Sequence, residues 1–164
     1  MVVMRNLLRA LVATSTAVAA TAVAGGTASA DVRSAWYAAL DKPPYQPPGQ
    51  VFPVAWTALY TDIAVTGALT QAALRREGRT GEARRFAAAL AANLIANAGW
   101  SWVFFRWHRL APASAVAGLL TLSSADLVRR AGRVSPRVAA ALAPYPAWCG
   151  FATVLSTAIW RRNR

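Results

Sequence analysis

The chain has 164 residues, of which 56% are apolar, and its 18 Lys and Arg against 6 Asp and Glu give a net charge of +12. A nucleic-acid-binding protein would need such basic residues on a water-facing surface. Here the arginine pairs at 75–76, 84–85, 129–130 and 161–162 lie at the ends of apolar segments. Each apolar segment is about 20 residues long, enough to cross the hydrocarbon core of a bilayer. The pattern predicts a polytopic membrane protein and argues against a nucleic-acid partner.

The first apolar segment, 7–30, follows Arg5 and Arg9 and ends in Ala28-Ser29-Ala30, which has the form of a signal-peptide cleavage site. We predict a retained first helix, because the later segments are also of membrane length and small residues let helices pack closely in lipid. The alternative is a cleaved secretory signal, which would leave four helices.

A proline-rich stretch separates the first helix from the second. Four of the six residues at 43–48 are prolines. Each fixes its own φ and pushes the preceding residue out of the helical region, so helix is excluded there. From Gln50 onward, Phe52, Trp56 and Tyr60 recur every four residues, which places them on one face of a helix predicted at 50–73.

The third predicted helix, 85–105, has two distinct faces. One face carries polar and aromatic side chains at helical spacing: Asn93, Asn97, Trp100 and Phe104. The other, about 100° away, is a ridge of small side chains: Ala88, Ala92 and Ala96. We predict a site on the first face and a helix contact on the second. Because Asn is costly in a membrane helix unless it is hydrogen-bonded, both Asn should face the bundle interior. The alternative role for them is interhelical hydrogen bonding.

The last two helices are predicted at 110–128 and 138–160. Asp126 should pair with Arg129 or Arg130, and Pro144 and Pro146 should kink the final helix. Tyr145, Trp148, Ala152 and Ser156 share one of its faces. With five spans, eleven of the 18 Lys and Arg fall on the side of the N-terminus, which predicts a cytoplasmic N-terminus.

The sequence offers little conventional catalytic chemistry. One His, one Cys and six scattered carboxylates cannot supply a metal site, so neither a metal nor a cofactor is expected. There is no glycine-rich phosphate loop and no nucleophile elbow. Asp62 is the one candidate, since an ionisable residue within a membrane helix is functional by default. It lies about 200° around the helix from Tyr60. Pairing with a Thr, an Asn or a backbone group of a neighbouring helix is the alternative.

Aromatic side chains form the strongest candidate site. They come from the loop and three helices: Tyr37, Trp56, Tyr60, Trp100, Phe104 and Trp148, with Asn97 as a polar member. Flat rings with one or two polar groups suit a large, planar, hydrophobic ligand. The alternative is that these rings are bundle core or interfacial belt, as we expect for Trp107 and Trp160.

These residues also carry a resemblance to a known family. The matching positions are Trp36-Tyr37, Leu40, Lys42-Pro43, Pro47-Pro48, Val51-Phe52, Trp56, Leu59-Tyr60, Asn97, Trp100, Phe104-Phe105, Tyr145, Trp148 and Phe151-Ala152. Over most of its length the chain resembles the TspO/MBR family, the tryptophan-rich sensory proteins related to the mitochondrial translocator protein.

The resemblance implies an all-α fold: one integral membrane domain over 1–164, a bundle of five transmembrane helices with a long proline-rich loop between the first two. Members are usually homodimers. The family binds porphyrins and other tetrapyrroles, and sterols in some members, within the lipid-embedded bundle. It implies a membrane receptor or sensor, with transport of tetrapyrroles or sterols as an alternative. The Ala and Arg bias of the sequence indicates a bacterial source, and so a bacterial cytoplasmic membrane.

Carried over by motif, the ligand-binding residues are Tyr37, Pro47, Trp56, Tyr60, Asn97, Trp100, Trp148 and Ala152. A further alternative is light- and oxygen-dependent porphyrin breakdown in the same pocket, for which the resemblance implies Trp56 and Trp148 as the catalytic pair. The chain departs from the family at Ser156, where Asn is frequent, and at Pro146, where Leu is common. The sterol-recognition pattern near the C-terminus lacks its Tyr, which argues against cholesterol binding.

Overall fold

The structure, a computed structural model, describes residues 2–164. Over these residues the chain is helical and contains no strand, which confirms the predicted all-α class. The helices are α1 (Val2–Ser29), α2 (Ala35–Ala39), α3 (Val51–Arg76), α4 (Thr80–Ser101), α5 (Leu110–Gly132), α6 (Pro136–Leu142) and α7 (Pro144–Arg162). A 3₁₀ turn, Ala30–Arg33, continues α1, and a π-helical turn, Trp102–Arg106, continues α4.

Within the described residues, four helical segments are long and apolar enough to cross a membrane: Met4–Arg33, Thr80–Arg106, Leu110–Gly132 and Pro136–Arg162. Helix α3 has 26 residues but is not among them. Its sequence is more polar, and Thr66, Thr70 and Gln71 are buried inside the protein. The Thr66 and Thr70 hydroxyls donate to the backbone carbonyls four residues earlier. The bundle interior therefore accommodates the polarity of α3.

Several boundaries differ from those predicted. Helix α4 begins at Thr80, five residues before the predicted start at Arg85, and α5 continues to Gly132 instead of ending at Val128. The clustered arginines lie inside the helix ends, because their long side chains reach polar surroundings from there. The last predicted helix is interrupted at Ala143, between α6 and α7, and Pro144 is the first residue of α7. Ala143 itself has helical backbone angles, and the predicted kink stays a prediction.

The bundle packs in a continuous order: α1 lies against α3 and α4, α4 against α5, and α5 against α7. Two glycines mark close approaches. A Cβ at Gly67 of α3 would lie 3.1 Å from Leu90 of α4, and one at Gly25 of α1 would lie 3.4 Å from Ser101 Oγ. Thr14 Oγ1 donates to the Ala64 carbonyl at 2.8 Å and so joins α1 to α3.

The predicted small-residue contact on α4 is confirmed only at Ala96, which is half-buried against the core. Ala88 and Ala92 are exposed. The close contact of α4 with α1 is made instead by Ala98 and Ser101, which lie near Gly25. A ridge of small residues is compatible with close helix packing but does not identify the partner helix.

Candidate functional site

A chain of hydrogen bonds crosses the bundle interior and links four helices. Tyr60 of α3 donates from its hydroxyl to Asn97 Oδ1 at 2.8 Å, and Asn97 Nδ2 donates to the Tyr145 hydroxyl of α7 at 3.2 Å. Tyr145 donates in turn to Asn93 Oδ1 at 2.7 Å, and Asn93 Nδ2 donates to Ser123 Oγ of α5 at 3.1 Å. Both Asn side chains are therefore hydrogen-bonded to other helices inside the bundle, as the alternative role of interhelical hydrogen bonding predicts.

Two groups of aromatic rings surround the part of this hydrogen-bond chain that is nearer to the proline-rich loop. The first, called the Tyr145 cluster, comprises Trp56, Tyr60, Tyr145 and Trp148, which pack against one buried core. The Trp56 ring lies 5.3 Å from Tyr60 and 6.5 Å from Tyr145, centroid to centroid. These separations are those of aromatic rings in direct contact.

The second group, called the Phe104 cluster, comprises Trp36, Tyr37, Trp100, Phe104 and Phe105. Trp100 stacks on Phe104 at 5.2 Å with 20° between the ring planes, and Phe105 stands edge-on to Trp100 at 5.9 Å. The π-helical turn carries Phe104 and Phe105. Such turns are frequent at functional sites.

Phe52 of α3 connects the two clusters. It packs in the core around Phe104, and its ring lies 6.0 Å from Trp148 of the Tyr145 cluster. Trp100 also packs against both cores. The aromatic residues predicted from the sequence therefore form one continuous arrangement.

The short helix α2 positions Tyr37. Ser34 caps it by accepting from the Tyr37 backbone N–H at 3.2 Å, and Trp36 is stacked on His108 with ring centroids 3.8 Å apart. The Tyr37 hydroxyl accepts from Gln46 Nε2 at 3.3 Å. Partial burial raises the pKa of this phenol above its ordinary value, and the bond to Gln46 opposes that rise. Tyr37 is therefore a neutral polar group next to the Phe104 cluster at physiological pH.

The loop at 40–50 is tied to the C-terminal end of α7. The Asp41 backbone N–H donates to Asn163 Oδ1 at 2.9 Å, and Asn163 Nδ2 donates to the Asp41 carbonyl at 2.9 Å. Arg162 adds an ion pair to the Asp41 carboxylate at 3.1 Å. We call these contacts the Asp41 clasp. It connects the loop to the helix that carries Trp148.

Three buried polar atoms have no hydrogen-bond partner within the described part of the chain: Trp100 Nε1, Gln46 Oε1 and Asp62 Oδ2. The first two belong to the aromatic site, one as a donor and one as an acceptor. For Asp62, the predicted pairing with a neighbouring helix is not found at this oxygen. Pro47 and Ala152 are half-buried, on the loop and on α7. They stay predicted members of the site.

Two cavities lie at the opposite end of the bundle. One, of about 420 Å³, is lined by the start of α1 and the last turns of α3. The other, of about 90 Å³, lies between the ends of α3, α4 and α5. The aromatic rings themselves pack in contact, so a ligand as large as a tetrapyrrole would have to separate them.

The sequence of this chain is similar to those of known proteins. The sequence model of the TspO/MBR family matches residues 12–161. The chain belongs to the TspO/MBR family. It is 32% identical over 145 residues to Protein CrtK of Rhodobacter capsulatus, covering 88% of each chain. It is 36% identical to the tryptophan-rich sensory protein of Cereibacter sphaeroides, covering 78% of this chain and 77% of that protein. It is 32% identical to the human translocator protein, covering 78% of this chain and 75% of that protein.

The family and the apolar helices together identify an integral membrane protein with sensor and translocator homologues. The aromatic residues predicted from the sequence of this TspO/MBR chain lie together, and their role in ligand binding stays a prediction. Sequence reasoning did not identify the side chains that contact Trp36 and Tyr37. No sequence pattern indicated the contacts of Gln46 with Tyr37 and of His108 with Trp36, because these contacts depend on how the loops fold. The photo-oxidative role of Trp56 and Trp148 stays a prediction.

Proposed function

We propose that this protein is a membrane receptor or sensor that binds tetrapyrroles and other flat hydrophobic ligands between the Tyr145 and Phe104 clusters. Helix α3 is then the fifth span, the loop at 40–50 covers the site, and the N-terminus is cytoplasmic in a bacterial membrane. Two copies form the homodimer expected of the family. The observation that carries the proposal is the Trp100 indole N–H, which is buried among the rings and has no partner among the residues that the structure describes.

A buried donor without a partner costs about 1–3 kcal/mol. Trp100 nevertheless presents its N–H inside an arrangement that contains Phe104 and Phe105. A ligand with a carbonyl or carboxylate oxygen at its edge would remove that cost, and its flat ring would stack on the aromatic faces. Gln46 Oε1, also buried without a partner in the described chain, offers a complementary acceptor. Porphyrins combine a flat apolar ring with edge carboxylates.

The seam between α3 and α7 is the proposed point of entry. Fewer residues of these two helices lie side by side than residues of α5 and α7 do. Aromatic contacts bridge them, among them the pairs Phe52–Trp148 and Trp56–Tyr145. Separating such pairs costs about 0.5–1.5 kcal/mol each beyond their buried area, which stacking on a larger ligand ring would replace.

Titration of protoporphyrin IX into the protein in lipid nanodiscs, followed by tryptophan fluorescence, tests the proposal. Trp100→Phe keeps an aromatic ring but removes the N–H, and we expect about tenfold weaker binding, the effect of losing a hydrogen bond to a charged acceptor. The matched control is Trp107→Phe, since Trp107 is 62% exposed. With the dimethyl ester of the porphyrin, which carries no carboxylate charge, the loss should shrink to a few-fold.

The proposal also predicts weaker binding in Trp56→Phe and Trp148→Phe, because smaller rings stack less. Asp62→Asn should leave affinity unchanged, since Asp62 is on another face of α3. Equal affinities in Trp100→Phe, Trp107→Phe and wild type, together with unchanged binding in the other two tryptophan variants, would exclude this site.

A further inference from the structure

The smaller cavity, of about 90 Å³, lies at the end of the bundle opposite the aromatic clusters, and α3, α4 and α5 each contribute to it. Leu74 and Phe86 are its buried apolar members. Its other lining residues are charged: Glu82, Arg85, Arg130 and Arg133. Three guanidinium groups and one carboxylate therefore share a space with room for several water molecules.

The single carboxylate offsets only part of the positive charge of this cluster. Both Glu82 oxygens already accept from Arg79, at 2.8 Å from Nε and 2.9 Å from Nη2. Arg130 is paired with Asp126. Within residues 2–164, neither Arg85 nor Arg133 makes an ion pair. Both are exposed, so their guanidinium groups are accessible from outside the bundle.

We propose that this cavity is a second binding site, which takes a phosphate group carried by an anionic phospholipid or by free phosphate. Guanidinium groups bind phosphate oxygens in pairs of parallel hydrogen bonds, and Arg is favoured where this planar geometry is needed. The cavity is of a size for one phosphate group. Its position is also suitable, because helix ends lie at the level of lipid headgroups, where basic pockets between membrane helices bind anionic lipids. The aromatic site is not required for this inference.

The test compares two double variants that remove the same charge from the same end of the bundle. Arg85→Gln with Arg133→Gln changes the two unpaired cavity residues. Arg84→Gln with Arg137→Gln is the matched control, because both residues are exposed and neither lines the cavity. Thermal unfolding of both proteins in a neutral detergent without phosphate checks that each is folded.

Binding is measured by native mass spectrometry with phosphatidylglycerol against phosphatidylcholine, and separately by the thermal shift that inorganic phosphate produces. We expect the cavity variant to lose about tenfold or more in affinity beyond the loss in the control, the scale of two arginine contacts. A loss seen with phosphatidylglycerol alone identifies a lipid headgroup as the source, and a loss seen with inorganic phosphate identifies free phosphate. Equal losses of affinity in the cavity variant and the control would overturn the proposal. So would a wild type that binds phosphatidylglycerol no better than phosphatidylcholine and shows no thermal shift with inorganic phosphate.

Discussion

Tyr145→Phe is the most direct test of the hydrogen-bond chain in the bundle. The change keeps the ring that contacts Trp56 and removes only the hydroxyl, which accepts from Asn97 and donates to Asn93. Both Asn side chains are buried, at 5% and 1% exposure, so their freed polar atoms find no water. Interhelical hydrogen bonds in membranes average about 0.6 kcal/mol and reach about 1.7. Losing two should lower the free energy of unfolding by about 1–3 kcal/mol.

The assay is unfolding by SDS titration in mixed micelles, with near-UV circular dichroism as the signal. Tyr60→Phe removes a single bond of the chain, to Asn97, and should cost about half as much. Tyr45→Phe is the control, because Tyr45 is 49% exposed and should change stability by less than about 0.5 kcal/mol. If Tyr145→Phe costs no more than Tyr60→Phe, the hydroxyl does not join α4 to α7 as described.

Two further predictions concern packing and the loop. Gly67→Ala would place a Cβ 3.1 Å from Leu90 Cδ2, and Leu90 is 4% exposed and so has little room to shift. We therefore expect a loss of about 1–2 kcal/mol in the same SDS assay, whereas Gly26→Ala, with no described atom within 4 Å, should be neutral or stabilising. Asn163→Ala removes both backbone hydrogen bonds to Asp41, so hydrogen exchange at 40–50 should accelerate and porphyrin should dissociate faster. Unchanged exchange in that variant would show that the Asp41 clasp does not restrain the loop.

The helices could be predicted from the sequence because the length of an apolar segment and the positions of its prolines are properties of the local sequence. The break at Ala143 follows from Pro144, and the helix-free loop follows from the prolines at 43–48. The span predicted at 50–73 is not among the apolar membrane-length helices, because the Asp and Thr residues of α3 lower its hydropathy. The burial of Thr66 and Thr70 depends on neighbouring helices, which a single-sequence pattern does not contain.

The proximity of the aromatic residues was predictable from the sequence, whereas the hydrogen bonds among their polar groups were not. Their role as a ligand site stays a prediction. Fourfold spacing correctly placed Phe52, Trp56 and Tyr60 on one face. Sequence spacing cannot show that the Asn97 amide is already bonded to Tyr60 and Tyr145. Nor can it show that the Trp100 N–H has no partner in the part of the chain that the structure describes. Those facts depend on which helices are adjacent, and therefore on tertiary packing.

The ring and the hydroxyl of Tyr60 should have opposite effects on ligand binding. Its ring contacts Trp56 in the Tyr145 cluster, while its hydroxyl holds α3 to Asn97. A ligand that separates the rings displaces α3 and strains the hydrogen bond from Tyr60 to Asn97. Part of the free energy of binding is therefore used to weaken this bond. Tyr60→Phe removes the bond and keeps the ring. It should therefore destabilise the empty bundle yet tighten protoporphyrin IX binding by about threefold or more, the equivalent of about 0.6 kcal/mol. Weaker binding in this variant would instead mean that the Tyr60 hydroxyl leaves Asn97 and bonds the ligand directly.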